Sequence, residues 1–433
     1  MNIQRGYKYE LRVNNQERTL LAKAAGTARF AWNWGLAERL RIYRENEGKE
    51  RYTDAMKQHK QLNRLKQSDY PWMYDVSKCV PQEALRDLEQ AFKNFYQDLA
   101  KVRETGRKRT VGFPKFKKKG KSKDSFRLTG TIRVEATSKR VQLPRLGQLR
   151  LKERPNLAPT ARILSATVSR TADRWYVALT VEETIEPSTS QPVKVIGIDA
   201  GLAKFVTLSS GFPIPRPKFL LRRLKKLRRL SKAHSRKQQG SNNRKKSAQR
   251  LARFHRKVAN TRRDFLHKQS TYLVKNHDVV VKEDLHVKGL IQNKKLSRHW
   301  ADLAHGEFQR MLDYKGTKYG TLIVEADRWF PSSKICSNCL MYNATLTLQD
   351  RIFHCPYCGL EIDRDFNASL NLEQYFYMFV YPQLDPVAPS SEETLNAGGE
   401  TVRPAHQQAR LDEAGNVAPK SDVDKLSIDD RFG

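Results

Sequence analysis

Two cysteine pairs and three isolated carboxylates are the residues of this chain whose types and spacing can do chemistry. Cys336-Ser337-Asn338-Cys339 and Cys355-Pro356-Tyr357-Cys358 form a C-x2-C, fifteen-residue, C-x2-C pattern. Each pair turns two thiolates toward one point, so the four fit a tetrahedral Zn2+ with a small hairpin between the knuckles. A redox dithiol or a set of unpaired core cysteines are the alternatives. Four sulfurs leave zinc no open position for water, so this single ion would be structural rather than catalytic. Leu340 stands where a glycine often relieves the turn, which predicts strain in the first knuckle. Cys79 is isolated and reads as a small buried hydrophobe.

The carboxylates are Asp199 in Gly197-Ile198-Asp199-Ala200-Gly201, Glu283 in Lys282-Glu283-Asp284-Leu285, and Asp365 in Asp363-Arg364-Asp365-Phe366-Asn367-Ala368. Each ends an apolar element inside a cationic region. Singly, any of them could be a helix N-cap or a surface ion-pair partner. Together, two strands releasing acids at one edge and a third acid opening a helix can hold two Mg2+ ions for phosphodiester hydrolysis. Other chemistries have less support. The chain has no phosphate-binding Gly-x-x-x-x-Gly-Lys-Ser/Thr loop and no dinucleotide glycine pattern after a strand, and His267, His286, His305 and His354 are scattered.

The elements that must position these groups follow from periodicity. Tyr7, Tyr9, Leu11 and Val13 alternate as in a half-buried strand. Helical spacing then runs from about Asn15 to Lys101. Alternation returns at Phe126–Val134, Ile163–Ser169 and Trp175–Val181, the last two joined as a hairpin, so the first strand and these later ones are expected to form a β-barrel split by helices. Glu186–Ser190 reads as a linker. Val193–Asp199 is a strand buried on both faces, Lys204–Ser209 its hairpin partner, and Val279–Lys282 and Leu322–Val324 further strands alternating with helices, an α/β layer.

Charge names the partner. The 433 residues carry 81 Lys and Arg against 46 Asp and Glu, a formal +35. At this length about three domains are expected, and such self-repulsion is relieved by a polyanion. Arg216–Arg263 holds 20 basic and no acidic residues, broken by Gly240-Ser241-Asn242-Asn243 into two expected helices. The last fifty residues, 384–433, are acidic and read as a disordered tail. No run of eighteen apolar residues and no secretion signal is evident, which predicts a cytoplasmic protein without a membrane partner.

At this point the chain resembles the TnpB proteins of bacterial insertion sequences, relatives of type V CRISPR effectors. The resemblance rests on Gly112-Phe113-Pro114-Lys115-Phe116, Gly240–Arg244, Asp264-Phe265-Leu266-His267-Lys268, Pro331-Ser332-Ser333-Lys334, Glu393-Thr394-Leu395-Asn396, the acid motifs and both cysteine pairs, in the family's order. It implies a wedge-type β-barrel (1–14 and 110–187) interrupted by a helical recognition domain (15–109). It further implies an RNase H-like RuvC nuclease domain (191–330 and 361–380) with an inserted zinc ribbon (331–360). It maps the catalytic, Mg2+-binding acids onto Asp199, Glu283 and Asp365, and residues touching a target-adjacent motif onto Tyr52, Lys78 and Gln82. The implied activity is RNA-guided cleavage of double-stranded DNA, with a guide RNA from the transposon end, in the bacterial cytoplasm and at the nucleoid when bound to DNA. A nuclease-inactive RNA-guided repressor and a DNA transposase are the competing readings.

Overall fold

The computed structural model describes residues 2–45, 54–135, 137–158, 160–184, 194–347 and 349–384. Tyr52, the 186–190 linker, the 393–396 stretch and the tail beyond Leu384 lie outside these. The chain divides into two compact units. One comprises Met1–Val193, Arg216–Asp278 and His286–Leu322; the other comprises Lys194–Pro215, Val279–Leu285 and Ile323–Gly433.

In the first unit, β1 (Asn2–Arg12) leads into three helices, α1 (Asn15–Glu45), α2 (Ala55–Ser68) and α3 (Cys79–Thr105). Then come β2 (Ser125–Leu128), β3 (Arg133–Glu135), β4 (Arg140–Leu143), β5 (Gly147–Leu151), β6 (Arg162–Thr171) and β7 (Arg174–Thr184). The seven strands form one sheet in the order β2-β6-β7-β1-β5-β4-β3. β1 is central, with Tyr9 opposite Val177 and Leu11 opposite Leu151, so the chain's first strand needs partners more than a hundred residues away. The β6–β7 hairpin turns through Ala172 at φ 57°. The ladder ends at β2 and β3, so among the described residues the sheet is open, where the sequence suggested a barrel. Closure needs edge strands of matched length and stagger, and these edges are only four and three residues long. Leu21, Ala24 and Leu85 of the helices share one core with Val168, Trp175 and Val177 of the sheet.

The same unit holds α4 (Leu224–Ser235), α5 (Asn242–Asn276), α6 (Val287–Gln292), α7 (Ser297–Leu303) and α8 (His305–Tyr319). The expected break between the basic helices is present. Gly240 has φ 81°, and the Ser241 hydroxyl accepts the Arg244 amide at 3.1 Å, capping α5. Among the described residues no helix is long and apolar enough to cross a membrane.

In the second unit, β8 (Val195–Ala200), β9 (Lys204–Leu208), β10 (Ile214–Pro215), β11 (Val279–Glu283) and β12 (Leu322–Ala326) form a sheet ordered β10-β9-β8-β11-β12. β8 and β11 are parallel. A small ribbon, β13 (Ile352–His354) and β14 (Glu361–Asp363), precedes α9 (Arg364–Tyr375), a π-turn at Phe376–Val380, and α10 (Tyr381–Leu384). Val195, Val279, Val281, Val324, Leu372 and Phe376 form the core. The aromatic run Tyr375–Phe379 packs here: Phe330 meets Tyr375 at 4.9 Å and Phe379 at 6.4 Å between ring centres.

Candidate functional site

The three acids converge by strand register and one helix. Val279 to Lys282 pair with Val195 to Ile198, so Glu283 and Asp199 leave adjacent parallel strands at the same end. α9 lies along β8 because position 197 has no side chain. A Cβ there would stand 2.0 Å from the Ser369 carbonyl oxygen and 2.6 Å from the Glu373 nitrogen. That close approach places the first turn of α9, with Asp365, at the strand ends.

The acids feel one another. Burial first, then the charges of Glu283 and Asp365, push the Asp199 carboxyl well above the usual carboxylate range, against the pull of Arg364. Burial likewise raises Glu283; the Ser332 hydroxyl, donating to Glu283 Oε1 at 2.8 Å, opposes this, and Asp365 adds to it. Asp363 adds a smaller push on Asp199 and has partners of its own. Its Oδ1 accepts the Phe366 amide at 3.0 Å as the cap of α9, and its Oδ2 takes Lys204 Nζ at 3.1 Å. Asp365 has Arg364 at 3.7 Å. The donors are hard carboxylate oxygens whose mutual repulsion a divalent cation would neutralise, so the set fits Mg2+.

The four cysteine sulfurs lie within 4.8 Å of one another, and among the described residues this is the tight cluster of metal-ligating side chains. Cys336 and Cys358 are 3.6 Å apart and Cys339 and Cys355 3.5 Å, close to the edge of about 3.8 Å expected for a tetrahedron of thiolates around zinc. The three acids form no such single-ion cluster; a pair of ions does not require every oxygen to reach the same metal. Both knuckles close alike: Leu340 donates to the Cys336 carbonyl, Gly359 to that of Cys355. Gly359 has φ 73° and Leu340 φ 61°, so the strain expected at Leu340 is present. Since a left-handed non-glycine residue costs roughly 1–2 kcal/mol, Leu340→Gly should slow zinc loss to a chelator and Gly359→Leu should hasten it. A colorimetric zinc-release assay checks both, and equal rates in all three proteins would count against the strain.

Residues the sequence reading left without a role connect the knuckle to the acids. Asn367 accepts the Ser337 amide at 2.9 Å and donates to the Ile335 carbonyl at 2.6 Å. Asn371 donates to the carbonyls of Ser332 and Ile335, and Gln374 to that of Ser337. Their i, i+4, i+7 spacing on α9 is a polar stripe readable from sequence, although only the fold shows what it grips. Lys78 is exposed before α3, and Gln82 is half-buried on its first turn, one helical turn away. In the same unit as these two, α4 buries no residue.

The architecture is mixed α/β, a seven-stranded and a five-stranded sheet with helices. Its fold matches, at a TM-score of 0.50 and 13% identity, the protein chain of "Cryo-EM structure of the Cas12f1-sgRNA-target DNA complex", over 86% of this chain and 99% of that one. Three family profiles match: OrfB_IS605, described as "Probable transposase", at residues 177–294; "Cas12f1-like, TNB domain" at 305–372; and "Helix-turn-helix domain" at 1–49. The described part of 1–49 is one strand and one long helix rather than a helix-turn-helix. Two relatives share the name "Putative RNA-guided DNA endonuclease". The Streptomyces pristinaespiralis protein is 35% identical over 86% of this chain and 89% of its own length, and InsQ of Escherichia coli (strain K12) 30% over 84% and 90%. The chain belongs to the TnpB family of transposon-encoded RNA-guided nucleases.

Proposed function

We propose that this protein is an RNA-guided DNA endonuclease of RuvC type, with Asp199, Glu283 and Asp365 as its catalytic metal ligands. The observation carrying this is the arrangement of the three carboxylates, two leaving adjacent parallel strands at one end and the third on the first turn of a helix packed directly on Gly197. Two Mg2+ ions held there would supply a nucleophilic water and stabilise the leaving oxygen of a phosphodiester. The protein's own part is rigidity. Gly197 fixes α9, Ser332 orients Glu283, and the first zinc knuckle holds α9 through Asn367 and Asn371.

The seven-stranded sheet serves as the wedge domain, α1–α3 as the recognition helices, and Lys78 and Gln82 face the target-adjacent motif. Arginines gather where a guide RNA would dock: a cavity of about 690 Å³ in the first unit is lined by Arg12, Arg18, Arg150, Arg170, Arg174 and Arg253 around a single acid, Asp173, which pairs with Arg253 at 2.9 Å. Phosphates are their natural counter-ions. Such a protein would act in the cytosol and on the nucleoid. The test is to sequence the RNA that copurifies with the protein and offer double-stranded DNA matching its guide segment. Mg2+-dependent cutting of the matched duplex is expected. Bound RNA with a matched duplex that is bound but never cut would favour the repressor reading instead, and absence of any bound RNA would overturn guidance altogether.

A further inference from the structure

The two most exposed large apolar side chains among the described residues are Trp329, 83% exposed, and Phe212, 77% exposed. Single exposed apolar residues are common and need no explanation. These two are set apart by where they sit. Trp329 lies in a segment pinned on both sides to the Glu283 strand end: Arg328 pairs with Asp284, and Ser332 donates to Glu283. Its own amide is held by Asp327 Oδ1 at 2.8 Å, and the next residue, Phe330, is packed against Tyr375. The backbone is fixed and the indole is left in solvent. Phe212 follows Gly211, whose φ is 85° and where a Cβ would lie 3.7 Å from the Phe366 ring, the residue after Asp365. Thus one bare aromatic sits in a segment tied to the Glu283 strand end, and the other follows a glycine that faces the ring of Phe366, the residue after Asp365; both belong to the unit that holds the acids.

We infer that Trp329 and Phe212 are base-stacking platforms that hold a single-stranded DNA segment at the acid trio, making them positioning residues for the strand to be cut. This rests on the nuclease reading above. The chemistry favours a single strand because only unpaired bases offer a free π-face, and aromatic stacking tolerates any sequence, as a guide-programmed nuclease requires. Rigid presentation matters because the stacked base then fixes the neighbouring phosphate relative to the carboxylates.

The test uses the full chain with its copurified RNA and a short single-stranded DNA oligonucleotide. Stacking on one aromatic sets the expected scale: Trp329→Ala and Phe212→Ala should each raise KM about tenfold with kcat little changed. The same loss should appear in binding when either is placed in an Asp199→Ala background. Trp329→Phe should recover most of it, and full exposure means none of the three should lower the melting temperature. An oligonucleotide abasic around the cut site should bind wild-type protein as weakly as the alanine variants bind the intact one, with no further loss in the variants. Unchanged KM and binding in Trp329→Ala and Phe212→Ala, or equal abasic penalties in variant and wild type, would overturn the stacking role while leaving the nuclease intact. Absence of cleavage by wild-type protein would strike the underlying reading instead.

Discussion

Asp199→Asn should lower target cleavage roughly a thousandfold or more, the scale of losing metal-centred charge stabilisation worth several kcal/mol, while leaving guide RNA and target binding within about twofold. The arginine-lined cavity and the motif-facing residues invoked above lie in the other unit, and the stacking aromatics keep their own side chains, so an isosteric amide should leave binding nearly unchanged. A second, opposite effect should accompany the loss. In the metal-free protein Asp199 is driven toward its neutral form by burial and by Glu283 and Asp365, so the amide removes a repulsion and should raise the melting temperature. The sign with pH follows from the same shift. The folded carboxyls of Asp199 and Glu283 titrate above their ordinary values of 3.8 and 4.5, so the folded state binds more protons than the unfolded one. Metal-free stability should therefore decline as pH rises from about 4 through the raised folded values. Mg2+ should restore it in the wild type and much less in Asp199→Asn. Calorimetry with and without Mg2+ measures this; a variant that still cuts, or that melts lower at neutral pH without metal, would contradict the assignment.

The second large effect is expected from the smallest change. Gly197→Ala adds a methyl group 2.0 Å from the Ser369 carbonyl oxygen and 2.6 Å from the Glu373 nitrogen. Both are helix backbone, which cannot rotate aside as a side chain can, so α9 must move off β8. Overpacking of this kind costs about 3 kcal/mol or more. Since α9 carries Asp365 and the Asn367–Asn371 grip on the zinc knuckle, cleavage should fall with stability, and zinc should leave faster. Urea unfolding and zinc release test it together. A variant as stable as the wild type would mean that the helix does not need this close approach.

The cysteine cluster was legible without coordinates, because its signal is local. Cysteine spacing reports a knuckle whose geometry is set within a few residues, and Leu340 announced its own strain for the same reason. Helix breaks such as Gly240-Ser241 are likewise local, decided by left-handed backbone and a capping hydroxyl. The alternation of Tyr7, Tyr9 and Leu11 revealed a strand but not that it would lie between β7 and β5.

What only the tertiary structure decided are relations between distant segments. Asp363 and Asp365 have the same chemistry and are two residues apart; the fold commits Asp363 to a cap and to Lys204, while the charges of both raise the Asp199 carboxyl, that of Asp365 more strongly. Ser332 and Asn371 gain a purpose only once α9 lies over the knuckle, and Trp329 and Phe212 stand out only when burial shows which aromatics the core declined. The open edge of the seven-stranded sheet belongs to the same class, since closure depends on how edge strands meet in space. Residue type and spacing fix which groups can act, through short-range geometry. Which of them act together is set by long-range packing, where a single missing Cβ at Gly197 determines how closely a helix may approach a strand.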